Sequence, residues 1–246
     1  MGNIKIAFLG VPDFGTYILE GLIKNGYEPI VLDSHEKIKE IKPDLTIVAS
    51  YGKIIPKDIL EIPQYGTLNI HPSLLPKYRG ASPIQTAILN DDKVTGISIM
   101  LMDEKMDHGG IISSVEYQVL GKPTYKELEK ELAKIAIEEL VKVLPRWIKG
   151  EIKPKEQDHS QAIFTKIFKK EDGKIDCSQS IEEIERQIRA LNPWPGSFVI
   201  WKGKIIKILE AQIEDNKLII NKIQPEGKKP MAMDDFLRGH QDFKLC

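Results

Sequence analysis

Asn69 and His71 stand two residues apart where a strand-like run, Thr67 to Ile70, gives way to a loop. In an extended chain both side chains project to the same side. Further along, Asp107 is followed by His108, Gly109 and Gly110 in a polar loop that begins at Met102. Glycines there let a backbone lie close to a ligand. An amide, an imidazole and a carboxylate are the parts that acyl transfer to an amine requires. Attack builds a tetrahedral centre with negative charge on the carbonyl oxygen. Asn69 and a protonated His71 can donate hydrogen bonds to that oxygen, and losing one such donor costs about 2.7–4 kcal/mol. Asp107 can orient or charge the imidazole and help remove the amine proton, directly or through water. No serine or cysteine nucleophile is needed, because the amine attacks. On spacing alone, bland alternatives keep their weight. A histidine beside a proline turn is more often structural. An aspartate next to glycines is usually a turn residue, and Ser73 lacks the Gly-x-Ser-x-Gly surroundings of a nucleophile elbow. Residue types alone stop at an α/β enzyme with acid–base chemistry open to it.

The elements that position these residues alternate between strand and helix. Ile4 to Leu9 reads as a strand, Phe14 to Lys24 as a helix with Asp13 as N-cap and Gly26 as stop, and Pro29 to Leu32 as a second strand. A short helix, Glu36 to Ile41, leads to a third strand, Asp44 to Ser50. Then come a helix near Pro56 to Ile62, the strand that carries Asn69, a helix near Pro83 to Leu89, strands at Gly96 to Met102 and Ile111 to Val119, and a long amphipathic helix from Thr124 to Lys149. This alternation argues for an α/β fold with a Rossmann-like, mostly parallel, doubly wound sheet over residues 1–150. In such sheets ligands bind at the carboxyl ends of the strands. Residues 151–161 are polar and read as a linker. Beyond them, runs at Ile163 to Phe168, Ser197 to Lys202, Lys204 to Ala211 and Lys217 to Ile223, with a helix at Ile181 to Leu191 capped by Ser178 or Ser180, suggest a small OB-like β-barrel over 162–246.

Composition excludes several classes. The hydrophobic fraction of 41% and formal net charge of -1 fit an ordinary globular chain and demand no nucleic acid, although a local basic face remains compatible with such a total. The two cysteines, Cys177 and Cys246, make no disulfide framework and no metal pair, which suits a reducing cytoplasm. Five scattered histidines lack ligand spacing, so no metal is expected. No signal segment or membrane-length apolar run is visible, so a cytoplasmic protein, monomeric by default, is expected. Gly10 and Gly15 invite a dinucleotide-binding reading, but Pro12 stands where the fingerprint needs its middle glycine.

The stretch His71-Pro72-Ser73-Leu74-Leu75-Pro76-Lys77-Tyr78-Arg79-Gly80 and its continuation to Gln85 resemble the signature of the formyltetrahydrofolate-dependent formyltransferases. Gly10 to Phe14, Ala49 to Pro56, and Met102-Asp103 through Asp107 to Gly110 match as well. Leu191-Asn192-Pro193-Trp194-Pro195-Gly196 and Gln224-Pro225-Glu226-Gly227-Lys228-Lys229 are more specific, and they resemble the branch that formylates methionyl-tRNA. The resemblance implies 10-formyltetrahydrofolate as co-substrate, charged initiator tRNA as acceptor, and Asn69, His71 and Asp107 as the catalytic asparagine, histidine and aspartate. It places folate beside Ser73, Leu74, Leu75 and Pro76, in a cleft that also takes in Tyr51, Gly52, Ile54, Met102 and Asp103. Arg79 is expected to hold the loop or face the incoming aminoacyl end.

One departure matters. Between the second and third strands the family usually carries a longer segment with a basic loop for the tRNA acceptor stem, whereas only Asp33 to Pro43 connects them here. Phosphate contacts from Lys166, Lys170 and Lys204, or from Lys169, Lys202, Lys228 and Lys229, are the candidate replacements. The short connection keeps a sugar-nucleotide N-formyltransferase in view, and a non-catalytic RNA- or folate-binding relict is the rival from another class.

Overall fold

The computed structural model describes residues 4–10 and 13–245, so the Val11-Pro12 part of the first turn and Cys246 lie outside the described residues. The chain divides into two compact units. The first takes Met1–Pro83, Lys93–Leu120 and Glu127–Lys166, and the second takes Ile84–Asp92, Gly121–Lys126 and Ile167–Cys246.

The first unit is built on a six-stranded sheet in the order β2-β1-β3-β4-β5-β6. Its strands are β1 (Ile6–Gly10), β2 (Ile30–Leu32), β3 (Leu45–Ala49), β4 (Thr67–His71), β5 (Val94–Leu101) and β6 (Ile111–Gln118). β2, β1, β3 and β4 are parallel. β5 is antiparallel to β4 and to β6, so the sheet is mixed, with three of its five strand pairings parallel. Only residues 102–110 join β5 to β6. A parallel crossover needs a dozen or more residues, so this connection forces the reversal. β1, β3 and β4 are buried on both faces; β1 reads as a continuous apolar run for that reason, whereas β4 carries Asn69 and His71.

Helix α1 (Phe14–Lys24) stops where expected, with Gly26 at φ +83° just past its end. Its start differs: Asp13 sits at φ 73° and its side chain makes no capping hydrogen bond. Gly10 and Gly15 have a packing role, since a Cβ at either would lie 2.8 Å from the Ala49 carbonyl oxygen. Gly21 lets α1 close on Ile137 of the long helix α5 (Tyr125–Ile148). The short helices α2 (Ile38–Ile41) and α3 (Lys57–Leu60) flank β3 and bury Ile38, Ile59 and Leu60 against Leu9, Val48 and Tyr51.

In the second unit, α4 (Pro83–Leu89) is followed after a long interval by α6 (Ile181–Leu191) and the strands β7 (Ser197–Trp201), β8 (Lys204–Glu214), β9 (Lys217–Pro225) and β10 (Met231–Ala232), then α7 (Met233–Leu237). The strands form an open antiparallel sheet, β10-β9-β8-β7, in place of the expected barrel. The run Ile163 to Phe168, expected as a strand, makes only an isolated bridge from Phe164 to Arg79. Helix α6 is capped by Ser180: its hydroxyl accepts from Glu183 N–H at 3.2 Å and the Glu183 carboxylate accepts from Ser180 N–H at 2.8 Å. α6 lays Ile184 and Ile188 against Val199, Ile206, Ile208 and Ile223.

Candidate active site

β4 pairs with β3 in a register that sets Asn69 beside Val48, and two-residue alternation carries His71 to the same face. Asp107 reaches that face from an unexpected direction. Because β5 runs antiparallel, the loop that follows it begins next to the first residue of β4, where Met102 N–H donates to the Thr67 carbonyl at 2.8 Å. The loop then turns back so that Asp107 reaches Asn69 and His71 in the second half of β4. Gly109 allows this by lying against the Leu101 carbonyl, where a Cβ has no room.

The three side chains meet. Asn69 Nδ2 donates to Asp107 Oδ1 at 3.2 Å, and His71 Nδ1 stands 3.6 Å from the same oxygen. The other carboxylate oxygen, Oδ2, accepts from Gly80 N–H at 2.7 Å. His71 is 5% exposed, and its Nε2 lies 2.9 Å from the Tyr78 carbonyl oxygen. A carbonyl only accepts, so Nε2 carries the proton and donates. Nδ1 is therefore the position that exchanges protons, and it faces Asp107. The second N–H of Asn69 has no partner among the described residues.

Two supports hold this geometry. The first is the loop after His71. Ser73 Oγ donates to the Lys77 carbonyl at 2.6 Å, and Ser73 N–H donates to the His71 carbonyl at 2.9 Å. Ser98 Oγ accepts from Leu75 N–H and donates to the Ser73 carbonyl. Ser73 is thus a buried loop-forming serine. The second support is Gln157, which lies in the segment read as a linker. It is 4% exposed, and its Nε2 donates to the carbonyls of Asp107 (3.0 Å) and Gly109 (2.7 Å). Its Oε1 accepts from Arg79 Nη2 at 2.6 Å and Nε at 3.2 Å. Asp107 sits at φ 47°, a left-handed conformation that needs external support in a non-glycine residue, and Gln157 supplies it. Nothing in the sequence marked Gln157; a lone glutamine in a polar run carries no periodicity or motif.

Arg79 is 3% exposed and points inward, to Gln157 Oε1 and to His159 Nδ1 at 2.8 Å. His159 stacks on His108 at 3.9 Å between ring centroids, and His108 Nδ1 is 2.6 Å from Asp103 Oδ2. Next to Gln157, hydrogen bonds from the Ser160 hydroxyl and amide hold the Asp158 carboxyl below the usual range and fix the turn at His159–Gln161.

The expected folate-side residues divide. Tyr51 is buried, with its hydroxyl accepting from His35 N–H at 3.0 Å, and Met102 packs against the same apolar cluster. Gly52 and Ile54 are exposed, and their backbone N–H groups have no partner among the described residues. Leu75 is buried, with Leu74 and Pro76 partly exposed beside it. Lys166 ends the first unit, whereas Lys170 and Lys204 belong to the second; all three are exposed.

The sheet thus carries an amide and an imidazole beside one carboxylate oxygen, and comparison with known proteins gives the class of the chain. Residues 28–144 match the family model Formyl transferase, and residues 167–218 match Formyl transferase, C-terminal domain. The chain belongs to the formyl transferase family. Within it, the chain is 34% identical to the methionyl-tRNA formyltransferase of Chloroflexus aurantiacus, across 97% of this chain and 98% of that one. It is 36% identical to the methionyl-tRNA formyltransferase of Myxococcus xanthus, across 84% and 73%. The first alignment spans 304 residues, so the relative carries segments that this chain of 246 lacks. Among solved structures, methionyl-tRNA formyltransferase from Clostridium thermocellum superposes with a TM-score of 0.76 at 23% identity, covering 90% of this chain and 98% of that one. HypX from Aquifex aeolicus, in complex with tetrahydrofolic acid, gives 0.79 at 17%, covering 96% and 47%.

Proposed function

We propose that this chain transfers the formyl group of 10-formyltetrahydrofolate to the free amine of methionyl-tRNA on charged initiator tRNA. The observation that carries the reading is the single oxygen, Asp107 Oδ1, shared between Asn69 Nδ2 and His71 Nδ1. Full-length similarity to enzymes with that name supports it. The bound donor supplies the carbonyl that the amine attacks. Asn69 presents its second N–H, and a protonated His71 presents Nδ1–H, to the oxygen on which negative charge develops. Asp107 balances the imidazolium charge and takes up the amine proton through Oδ1 or a water; the tetrahedral centre then collapses, the bond from the formyl carbon to the folate nitrogen breaks, and that nitrogen takes the proton as tetrahydrofolate leaves. Tyr78 and Gln157 hold the imidazole and the carboxylate while this occurs.

Free backbone N–H groups at Gly52 and Ile54, beside the apolar ring of Tyr51, fit a flat heterocycle that offers both hydrogen-bonding edges and an apolar face. With Met102, Asp103 and Ser73 to Pro76 they are the proposed folate residues. Residues 1–150 are proposed as the catalytic domain, joined through 151–161 to a C-terminal domain, 162–246, whose Lys170 and Lys204, with Lys166, contact tRNA phosphates. The working setting is cytoplasmic and monomeric.

The short connection between β2 and β3, which holds only a helical turn and α2, favours a sugar-nucleotide acceptor as the second reading. One assay separates them. The purified chain with 10-formyltetrahydrofolate is given charged initiator tRNA or an amino-sugar nucleotide. Formylation of the tRNA alone is the expected result. Formylation of the sugar alone overturns the tRNA reading and leaves the chemistry standing; turnover of neither leaves the relict reading.

A further inference from the structure

The two segments most specific to the tRNA branch in the sequence, Asn192 to Gly196 and Gln224 to Lys229, are far apart along the chain. In the second unit they form the walls of one cavity. Its volume is about 330 Å³, and Trp194, Phe198, Pro225, Lys170 and Lys207 are among the residues that line it. Trp194 lines this cavity and is 61% exposed, so its indole is open to a ligand.

The segment that presents this indole is tied down on both sides. Asn192 Nδ2 donates to the carbonyls of Ile208 (3.2 Å) and Leu209 (2.8 Å), and Gly196 N–H donates to the Leu191 carbonyl at 2.7 Å. The opposite wall is fixed too. Gln224 Nε2 donates to the Lys228 carbonyl at 3.0 Å, and Glu226 exchanges hydrogen bonds with Ile205: its N–H donates to the Ile205 carbonyl at 2.9 Å and its carboxylate accepts from Ile205 N–H at 3.1 Å. The one acidic group in the lining is thereby engaged with the strand backbone. The two ammonium groups, Lys170 and Lys207, form no ion pair among the described residues.

A rigid, exposed aromatic face with apolar flanks and two unpaired cations at its border is the chemistry that takes an unpaired nucleobase and its adjoining phosphates. We infer that this cavity seats one unstacked base of the tRNA substrate, on the indole of Trp194, with Lys170 and Lys207 on the flanking phosphates. The inference rests on the tRNA reading proposed above, and it places part of the acceptor's grip in a pocket rather than in a diffuse lysine surface.

The test is a titration of tryptophan fluorescence with a single-stranded oligoribonucleotide and with an RNA duplex of the same composition, alongside steady-state formylation of charged tRNA. The single strand is expected to quench the fluorescence and the duplex is not. Trp194→Phe should bind with near-unchanged affinity and lose the quench, which assigns the signal. Trp194→Ala should weaken single-strand binding about tenfold and raise KM for charged tRNA by a similar factor, with kcat unchanged. Lys170→Ala and Lys207→Gln should each reduce the salt slope of binding by about one unit. The inference is overturned if Trp194→Ala leaves affinity and KM unchanged, if the quench persists in Trp194→Phe, or if the duplex binds the pocket as well as the single strand. Loss of formylation in His71→Ala with RNA affinity intact keeps the two readings apart, because binding is measured without turnover.

Discussion

The side-chain amide of Gln157 lies 3.0 Å from the main-chain carbonyl oxygen of Asp107, and the same nitrogen reaches the carbonyl of Gly109 at 2.7 Å. One buried glutamine thus holds the turn that aims the carboxylate. Gln157→Ala takes this donor from both carbonyls and leaves the Arg79 guanidinium with His159 alone of its two side-chain partners. A stability loss of about 1–3 kcal/mol in urea unfolding is expected. Loosening of Asp107 should lower kcat roughly 10- to 100-fold, with KM for charged tRNA unchanged. A kcat equal to that of the parent would remove Gln157 from the account.

Asn69 is expected to act through the N–H that Asp107 does not use. Asn69→Ala should lower kcat by about 10²–10³, with donor affinity little changed. Equilibrium binding of the folate donor together with single-turnover rates checks this. A large loss of donor affinity at an unchanged chemical rate would make Asn69 a binding residue instead.

Gly80 donates its N–H to Asp107 Oδ2 from φ +106°, a conformation that side chains resist, and a Cβ there would sit 2.8 Å from Thr165 Oγ1. Gly80→Ala should therefore cost about 1–3 kcal/mol and reduce turnover through the displaced amide. Both are read from one variant, by denaturation and by rate.

Hydrogen bonds from the Ser180 amide, and then from its hydroxyl, hold the Glu183 carboxyl below the usual range. A carboxyl lowered in the folded state stabilises above its unfolded pKa, and that contribution is lost as pH falls through the folded value. The stability difference between parent and Glu183→Gln should thus be present at neutral pH and vanish on acidification. The hydroxyl contribution should disappear in Ser180→Ala, raising the Glu183 midpoint in an NMR titration.

Much of the site was legible before any coordinates. Asn69 and His71 shared a face because strand alternation is fixed by geometry, and the Gly109-Gly110 pair marked a close-lying loop beside Asp107. Residues 102–110 are too few for a parallel crossover, so the antiparallel pairing of β5 with β6 was also open to deduction; the reversal of β5 against β4, which sets where that loop begins, was not, because residues 72–93 are long enough for either direction. The alternation of strands and helices, read as a mostly parallel pattern, did not show which strand is reversed. Gln157 and the inward turn of Arg79 were not legible, because both depend on contacts between segments far apart in sequence. The expected barrel failed for a related reason: Ile163 to Phe168 has strand-like residues but takes its main-chain partners from the loop at Arg79. The turns that present Trp194 were visible as prolines and glycine, while the cavity behind them needs β8 and β9 side by side.

The central claim is that Asn69, His71 and Asp107 act together on the carbonyl being transferred. Single-turnover formylation of methionyl-tRNA by Asp107→Asn, which keeps the shape and removes the charge at Oδ1, tests it most directly. A rate at least about a hundredfold below the parent, with tRNA and donor affinities retained, is the expected result; a rate equal to the parent's would contradict the account.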